Sequence, residues 1–393
     1  MLKTIVFCAD GTWNGPGKDI DDASVKSAPS NVLKLYCWLD GVDSADTQPF
    51  SYAGEAERVL LDVAGHPLQL AKYLDGVGYD DNWLVKFLGG TFGAGLVTRI
   101  IRGYTFISRH YQPGDRIVIN GFSRGAYTAR ALAAMILDQG LLDAGKIDLN
   151  DKEHAYRLGC AVWHAHRKKA AQGKLGLLTR LEECMYDMPD FFTQTPSPQQ
   201  LIGAVPIQCV AVWDTVGAMG VPLYDGEDRR IDAFRFTDCD FSARVAHGFH
   251  AIAVDEQRTD FTPTLWNPRQ GISQVLFPGS HSDVGGGYPP GSESGLSDGA
   301  LLWMKQQLEA VVGLRFGAPP QHIKADVAGS AHQPWRLPPY TLMPASHVEA
   351  RQFPNSIGLQ AHASLSARRN LPSVQPDPLL PAVAYAPLNI PAV

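Results

Sequence analysis

An α/β fold with a mostly parallel central sheet flanked by helices is predicted for this 393-residue chain by three observations. Short apolar runs recur along it and end in turn formers, segments of helical spacing separate them, and one run closes on a serine held between two glycines. With 45% hydrophobic and 19% charged residues the chain can bury a sizeable core. It is read as a single catalytic domain over residues 1–393, with a helical insertion at 141–205 and a proline-rich tail at 319–393 laid over the surface.

Lys3 to Ala9 reads as the first strand, broken by the turn formers Asp10 to Gly15. Asp-Gly-Thr directly after a strand invites comparison with haloacid-dehalogenase phosphatases, whose nucleophilic Asp lies two residues earlier; Cys8 stands there, so that reading is rejected. Two alternatives remain for Asp10: it caps a turn, or its loop borders a site and offers backbone N–H groups. Asn31 to Leu39 has helical spacing behind a Ser30 or Asn31 cap. Residues 41–68 read as irregular, and Tyr73 to Tyr79 as a strand end and turn. The glycine-spaced stretch Leu88 to Leu96 lacks a Gly-Lys-Ser/Thr and follows no clear strand, so it is not read as a phosphate cradle. Leu96 to Tyr111 continues as an amphipathic helix toward the strand Asp115 to Asn120.

That strand leads into Gly121-Phe122-Ser123-Arg124-Gly125, a G-x-S-x-G sequence followed by good helix formers up to Gly140. Strand, tight turn and helix in this order form a nucleophile elbow, in which the serine hydroxyl stands exposed at the tip. Gly121 and Gly125 are small because side chains there would collide in the turn. Asp148 to about Met188 is the most helical region; it serves either as a cap over the serine, by analogy with α/β-hydrolases, or as a solvated helix face.

Pro206 to Trp213 is a buried strand ending in Asp214, His250 to Val254 ends in Asp255, and Gln274 to Phe277 is read as the last core strand. Acids at the carboxyl ends of parallel strands stand where open α/β sheets place their sites. The last strand is followed by a glycine-rich loop carrying His281 and Asp283, with a helix from Asp298 to Val312 beyond it.

A serine hydroxyl needs a histidine to take its proton and a carboxylate to hold the imidazole. Ser123 and His281 supply the first two, and both Asp214 and Asp255 satisfy the chain order Ser, Asp, His. The oxyanion hole is expected from the N–H of Arg124 with a second donor at Gly11 or Thr12, and Asp10, Gly121, Gly125 and Asp283 are placed near the site. A metal-dependent hydrolase built on Asp10, Asp214, His281 and Asp283 and a non-catalytic partner-binding scaffold are the rivals. No cofactor or metal is expected. A net charge of -6 argues against nucleic acid as main partner, and six scattered cysteines suggest no disulfide framework. The start of the chain is too short in apolar residues for a signal peptide, and no run nears the ~18 apolar residues of a membrane helix, so synthesis in the cytoplasm is expected.

Six stretches, with weaker ones at His362-Ala363-Ser364 and Tyr385 to Asn389, carry a resemblance to a known family: Phe7 to Asn14, Gly76-Val77-Gly78, Gly121 to Ala126, Trp213 to Gly217, Asp255-Glu256-Gln257-Arg258 and Phe277 to Tyr288. The sequence resembles the α/β-hydrolase family of the type VI secretion antibacterial phospholipase effectors. That resemblance implies an α/β-hydrolase-like fold with Ser123 as nucleophile, Asp214 rather than Asp255 as acid and His281 as base. It implies hydrolysis of phospholipid acyl esters, with a soluble carboxylesterase or thioesterase as the alternative. It also implies delivery into a rival's periplasm, transient contact with a membrane surface, a secretion-apparatus partner and an immunity protein. The larger effectors carry extra membrane-facing modules, and Ala9 stands where an aromatic or aliphatic residue is common.

Overall fold

A computed structural model describes residues 2–11, 28–44, 54–76, 92–171, 195–216, 223–224, 230–231, 242–320, 322–337, 340–342, 347–354 and 357–389. Its centre is a nine-stranded sheet of β1 (Thr4–Ala9), β2 (Val42–Asp43), β3 (Glu55–Leu61), β4 (Pro67–Leu74), β5 (Arg116–Phe122), β6 (Ile207–Trp213), β7 (Val245–Ala253), β8 (Ile272–Phe277) and β9 (Gln360–Ala361). The spatial order is β9-β8-β7-β6-β5-β1-β4-β3-β2. Every pairing from β9 to β4 is parallel, and only the β4–β3 and β3–β2 pairings at the far edge are antiparallel. This is the α/β-hydrolase-like arrangement expected.

The central strands are buried on both faces, which is why they read as continuous apolar runs. Alternation still sorts their side chains: Ile5, Phe7, Ile117, Ile119, Val210 and Val212 face one core, and Val6, Cys8, Val118, Cys209, Ala211 and Trp213 the other. The first face is covered by α2 (Phe92–His110), α3 (Arg124–Gln139) and α4 (Lys152–Ala171). The second is covered by α1 (Asn31–Trp38), α5 (His281–Gly285) and α6 (Gly295–Gln307). Ser30 caps α1, its side chain accepting the N–H of Leu33 at 3.1 Å, and Gly140 ends α3 with φ +80°.

Two expectations differ from the structure. Residues 41–68 hold β2 and β3, whose edge position replaces apolar periodicity with charge pairing: Lys72 on β4 meets Glu55 at 2.7 Å and Glu57 at 2.9 Å across the strands. Nor is Gln274 to Phe277 the last strand, because β9 pairs beside it through Val275 and Gln360; two residues in a proline-rich stretch carry no readable period. The insertion 141–205 is closed at its base by Leu141–Leu142 pairing antiparallel with Leu201–Ile202, and α4 packs through Ala155, Leu158, Val162 and Trp163 into the core of α2 and α3. Much of the stretch read as a cap, residues 172–194, lies outside the described residues, as do 88–91 of the glycine-spaced stretch and the loop from Thr12. Within the segment from 319 onward, Trp335, Arg351, Leu365 and Arg368 are buried and β9 joins the sheet, so this stretch is partly interior.

Between β5 and α3 the chain turns within one residue. Ser123 has φ +57° and ψ -123°, a conformation in which a side chain strains the backbone, as does Asp214 at φ +38°. A Cβ at Gly121 would lie 2.3 Å from the Gly125 carbonyl oxygen, across the turn as expected. A Cβ at Gly125 would instead lie 2.2 Å from the carbonyl oxygen of Ala9, so this glycine lets α3 approach the end of β1. Because the strain at Ser123 belongs to its Cβ, Ser123→Gly should be more stable than Ser123→Ala by about 1 kcal/mol despite glycine's entropy cost. Urea unfolding of the two variants measures the difference; equal midpoints would contradict stored strain at this position.

Candidate active site

Four neighbouring parallel strands deliver the polar groups to one edge of the sheet. Ser123 follows β5, Asp214 follows β6, Asp255 and Glu256 follow β7, and His281 follows β8 through the loop 278–280. Parallel pairing in register places all these strand ends on the same side.

There the structure brings together Ser123, His281 and Asp214. His281 Nε2 lies 2.7 Å from Ser123 Oγ, and its Nδ1 lies 2.6 Å from Asp214 Oδ2. All three are buried, Ser123 at 7% exposure and Asp214 at 0%. Burial lowers the pKa of His281 below the ordinary imidazole range, while its bond to Asp214 works in the opposite direction. For Asp214 burial favours the neutral acid, but the charge of Arg351 and the bonds from His281 and Arg351 outweigh it and hold the carboxyl well below the usual carboxylate range.

Asp255 does not reach the imidazole. Its Oδ2 accepts from Gly279 N–H at 2.7 Å and from the Tyr385 hydroxyl at 2.8 Å, and burial pushes it up to about 6. It lines a separate cavity of about 200 Å³ with Val254, Trp335, Val383 and Tyr385. Asp283 is likewise engaged elsewhere, accepting from Ser280 and meeting His332 Nδ1 at 2.6 Å, so it tethers the His281 loop without touching the ring. Asp10, pushed by burial up to about 7, accepts from Tyr73 Oη at 2.6 Å and from Gly11 N–H at 2.6 Å. The Gly11 N–H expected to face an oxyanion is therefore donated to its neighbour's carboxylate, and Thr12 lies outside the described residues. Arg124 is the first residue of α3, so its N–H sits at the positive end of that helix. Of the four groups considered as metal ligands, Asp214 and His281 bond each other while Asp10 and Asp283 are bonded elsewhere, and among the described residues no three His, Cys, Asp or Glu side chains are placed to hold a metal ion.

Several contributors were not read from the sequence. Glu256, fully buried, accepts the His281 N–H at 3.1 Å and forks onto Arg258 at 2.9 and 2.8 Å, fixing the start of α5. Its signal in the sequence is the run Asp255-Glu256-Gln257-Arg258, where an acid stands two residues before an arginine. The imidazole packs against the rings of Phe122, 4.6 Å away, and Phe261, 4.9 Å away, with the Arg258 guanidinium 3.6 Å over Phe261. Arg351 donates Nη1 to Asp214 Oδ1 at 2.7 Å and Nη2 to Oδ2 at 2.9 Å. A lone arginine in a proline-punctuated stretch gives no signal of such a role.

The chain is 26% identical over 285 residues to an uncharacterized protein of Saccharomyces cerevisiae, YEL023C, a stretch that is 70% of this chain and 34% of the yeast protein. Among solved structures, the Tle1 effector bound to the VgrG spike from the type 6 secretion system aligns over 74% of this chain and 52% of its own, with a TM-score of 0.37 and 18% identity. An uncharacterized protein from Pseudomonas aeruginosa aligns over 81% of this chain and 47% of its own, with a TM-score of 0.41 and 18% identity. The chain thus spans about half the length of these structures and a third of the yeast protein. The family model of the type VI secretion phospholipase effector Tle1-like catalytic domain matches residues 3–307, which include Ser123, Asp214 and His281 and cover most of the chain: the protein belongs to this family.

Proposed function

We propose that this protein is a serine hydrolase of phospholipid acyl esters, with Ser123 as nucleophile, His281 as general base and Asp214 as the acid that orients it. The observation that carries the reading is the buried hydrogen-bonded line from Ser123 Oγ through the imidazole to Asp214. As Oγ attacks the ester carbonyl, His281 Nε2 takes the hydroxyl proton, and the imidazolium formed is stabilised by Asp214 at Nδ1. The same proton then passes to the departing lysolipid oxygen, and water repeats the sequence on the acyl-enzyme.

Charge that develops on the carbonyl oxygen falls at the head of α3, where the Arg124 N–H is the first donor; each such donor contributes about 3 kcal/mol to the transition state. Gly11 would join only after its N–H leaves Asp10. The proposed hydrolysis uses no metal or cofactor. Family membership supports the phospholipid as substrate and the type VI system as delivery route. In one solved neighbour the Tle1 effector is bound to the VgrG spike, and we extend to this chain a secretion-apparatus partner of that kind, transient contact with a target membrane and an immunity protein. Among the described residues no helix is long and apolar enough to cross a membrane.

The purified protein should release fatty acid from defined phospholipid vesicles, with or without chelator, and Ser123→Ala should lower that rate by about 10⁴-fold or more. Cleavage confined to a soluble short-chain ester would move the reading to a small-substrate esterase, and activity unchanged in Ser123→Ala would dismiss the serine mechanism. A pH profile tests the base. His281 acts neutral and burial lowers its pKa, so kcat/KM should rise with pH through a midpoint below the ordinary imidazole value of 6.5. An acid limb above that value would contradict the assignment.

A further inference from the structure

Of the groups around the proposed triad, Arg351 is a buried cation bonded directly to the triad carboxylate. Its guanidinium is 3% exposed and covers both oxygens of Asp214 at 2.7 and 2.9 Å. The fork is itself fixed, because Nη1 also donates to the Ala253 carbonyl at 2.6 Å and Nη2 to that of Phe261. Asp214 Oδ1 receives a further bond from Ala253 N–H at 3.0 Å. The carboxylate therefore has one orientation in which it serves the imidazole, and Arg351 defines that orientation from a segment beyond the residue 307 at which the family match ends.

We infer that Arg351 is a positioning residue of the hydrolytic site, a fixed cation that orients Asp214 and neutralises it so that His281 releases its proton readily. The inference rests on the reading of Ser123, His281 and Asp214 as a triad. The carboxylate and imidazole titrate as a pair, and the active form has a charged carboxylate and a neutral ring. Without the arginine that pair carries one unit more of negative charge in a buried site and holds its last proton more tightly, whichever of the two atoms carries it. Other charges near the pair come from Glu256 and its ion-pair partner Arg258, which face His281, and from Arg130 beside the neutral, buried His250. Glu256 and Arg258 offset each other through a two-bond fork, which leaves Arg351 as the cation directly bonded to Asp214 among the described residues.

The test measures kcat/KM for a soluble p-nitrophenyl ester across pH with the full chain and its Arg351→Met, Arg351→Gln and Arg351→Lys variants. The neutral variants should lose on the order of 10²-fold in kcat/KM, as expected for a misplaced catalytic group. Their acid limb should also move up by about one to three pH units. Arg351→Lys should keep the limb near its wild-type position while kcat falls, because the charge remains and the fork is lost. A limb unmoved in the neutral variants, or moved equally in the lysine variant, overturns the inference; so does loss of native near-ultraviolet dichroism in both neutral variants, which would make Arg351 a folding element only. A wild-type protein no more active than Ser123→Ala would instead overturn the triad reading beneath it.

Discussion

The site depends on one buried carboxylate. Asp214 has no exposed surface, and its two oxygens are shared among the imidazole of His281, the fork of Arg351 and the N–H of Ala253. A charge in such a place persists only when paired, and removing one partner of a buried pair costs about 3–5 kcal/mol. The partners come from distant parts of the chain: His281 from the loop after β8, Ala253 from the end of β7, and Arg351 from the C-terminal segment. Holding Asp214 ionised therefore ties the C-terminal segment to the sheet as well as orienting the imidazole.

The sheet makes this convergence possible. Seven strands from β9 to β4 pair in parallel, so the ends of β5, β6, β7 and β8 lie side by side, one hydrogen-bonding spacing apart. Each then needs only a short extension to contribute a group. The extension after β5 is a single strained residue, and the one after β8 is shaped by Asp283, which accepts from Ser280 and meets His332. Glu256 locks the first residue of α5 through the His281 N–H, so the ring's position is set from its backbone as well as from its two nitrogens. The rings of Phe122 and Phe261 pack against the imidazole, the first tilted at 34° and the second edge-on at 74°.

What the sequence disclosed follows from how local each signal is. The elbow at Ser123 was legible because strand, glycine spacing and helix are contiguous, and the central strands because burial on both faces makes them apolar throughout. The strands β2 and β3 were not, since Glu55, Glu57 and Lys72 stabilise that edge through charge pairs that mimic a polar loop. Choosing Asp214 over Asp255 by residue pattern alone was out of reach: both follow buried parallel strands, and they differ only in whether Gly279 and Tyr385 or His281 and Arg351 lie opposite. The contact of Arg351 with Asp214 spans 137 residues and has no local trace.

The central claim is that Ser123 is an activated nucleophile. Its most direct measurement is the site of covalent attachment when the native protein meets a fluorophosphonate, read by mass spectrometry of the digested chain. The account predicts a single phosphonylated residue, Ser123, with labelling that slows sharply in the Asp214→Asn variant. Labelling on another residue, or a rate at Ser123 that ignores Asp214, would contradict it.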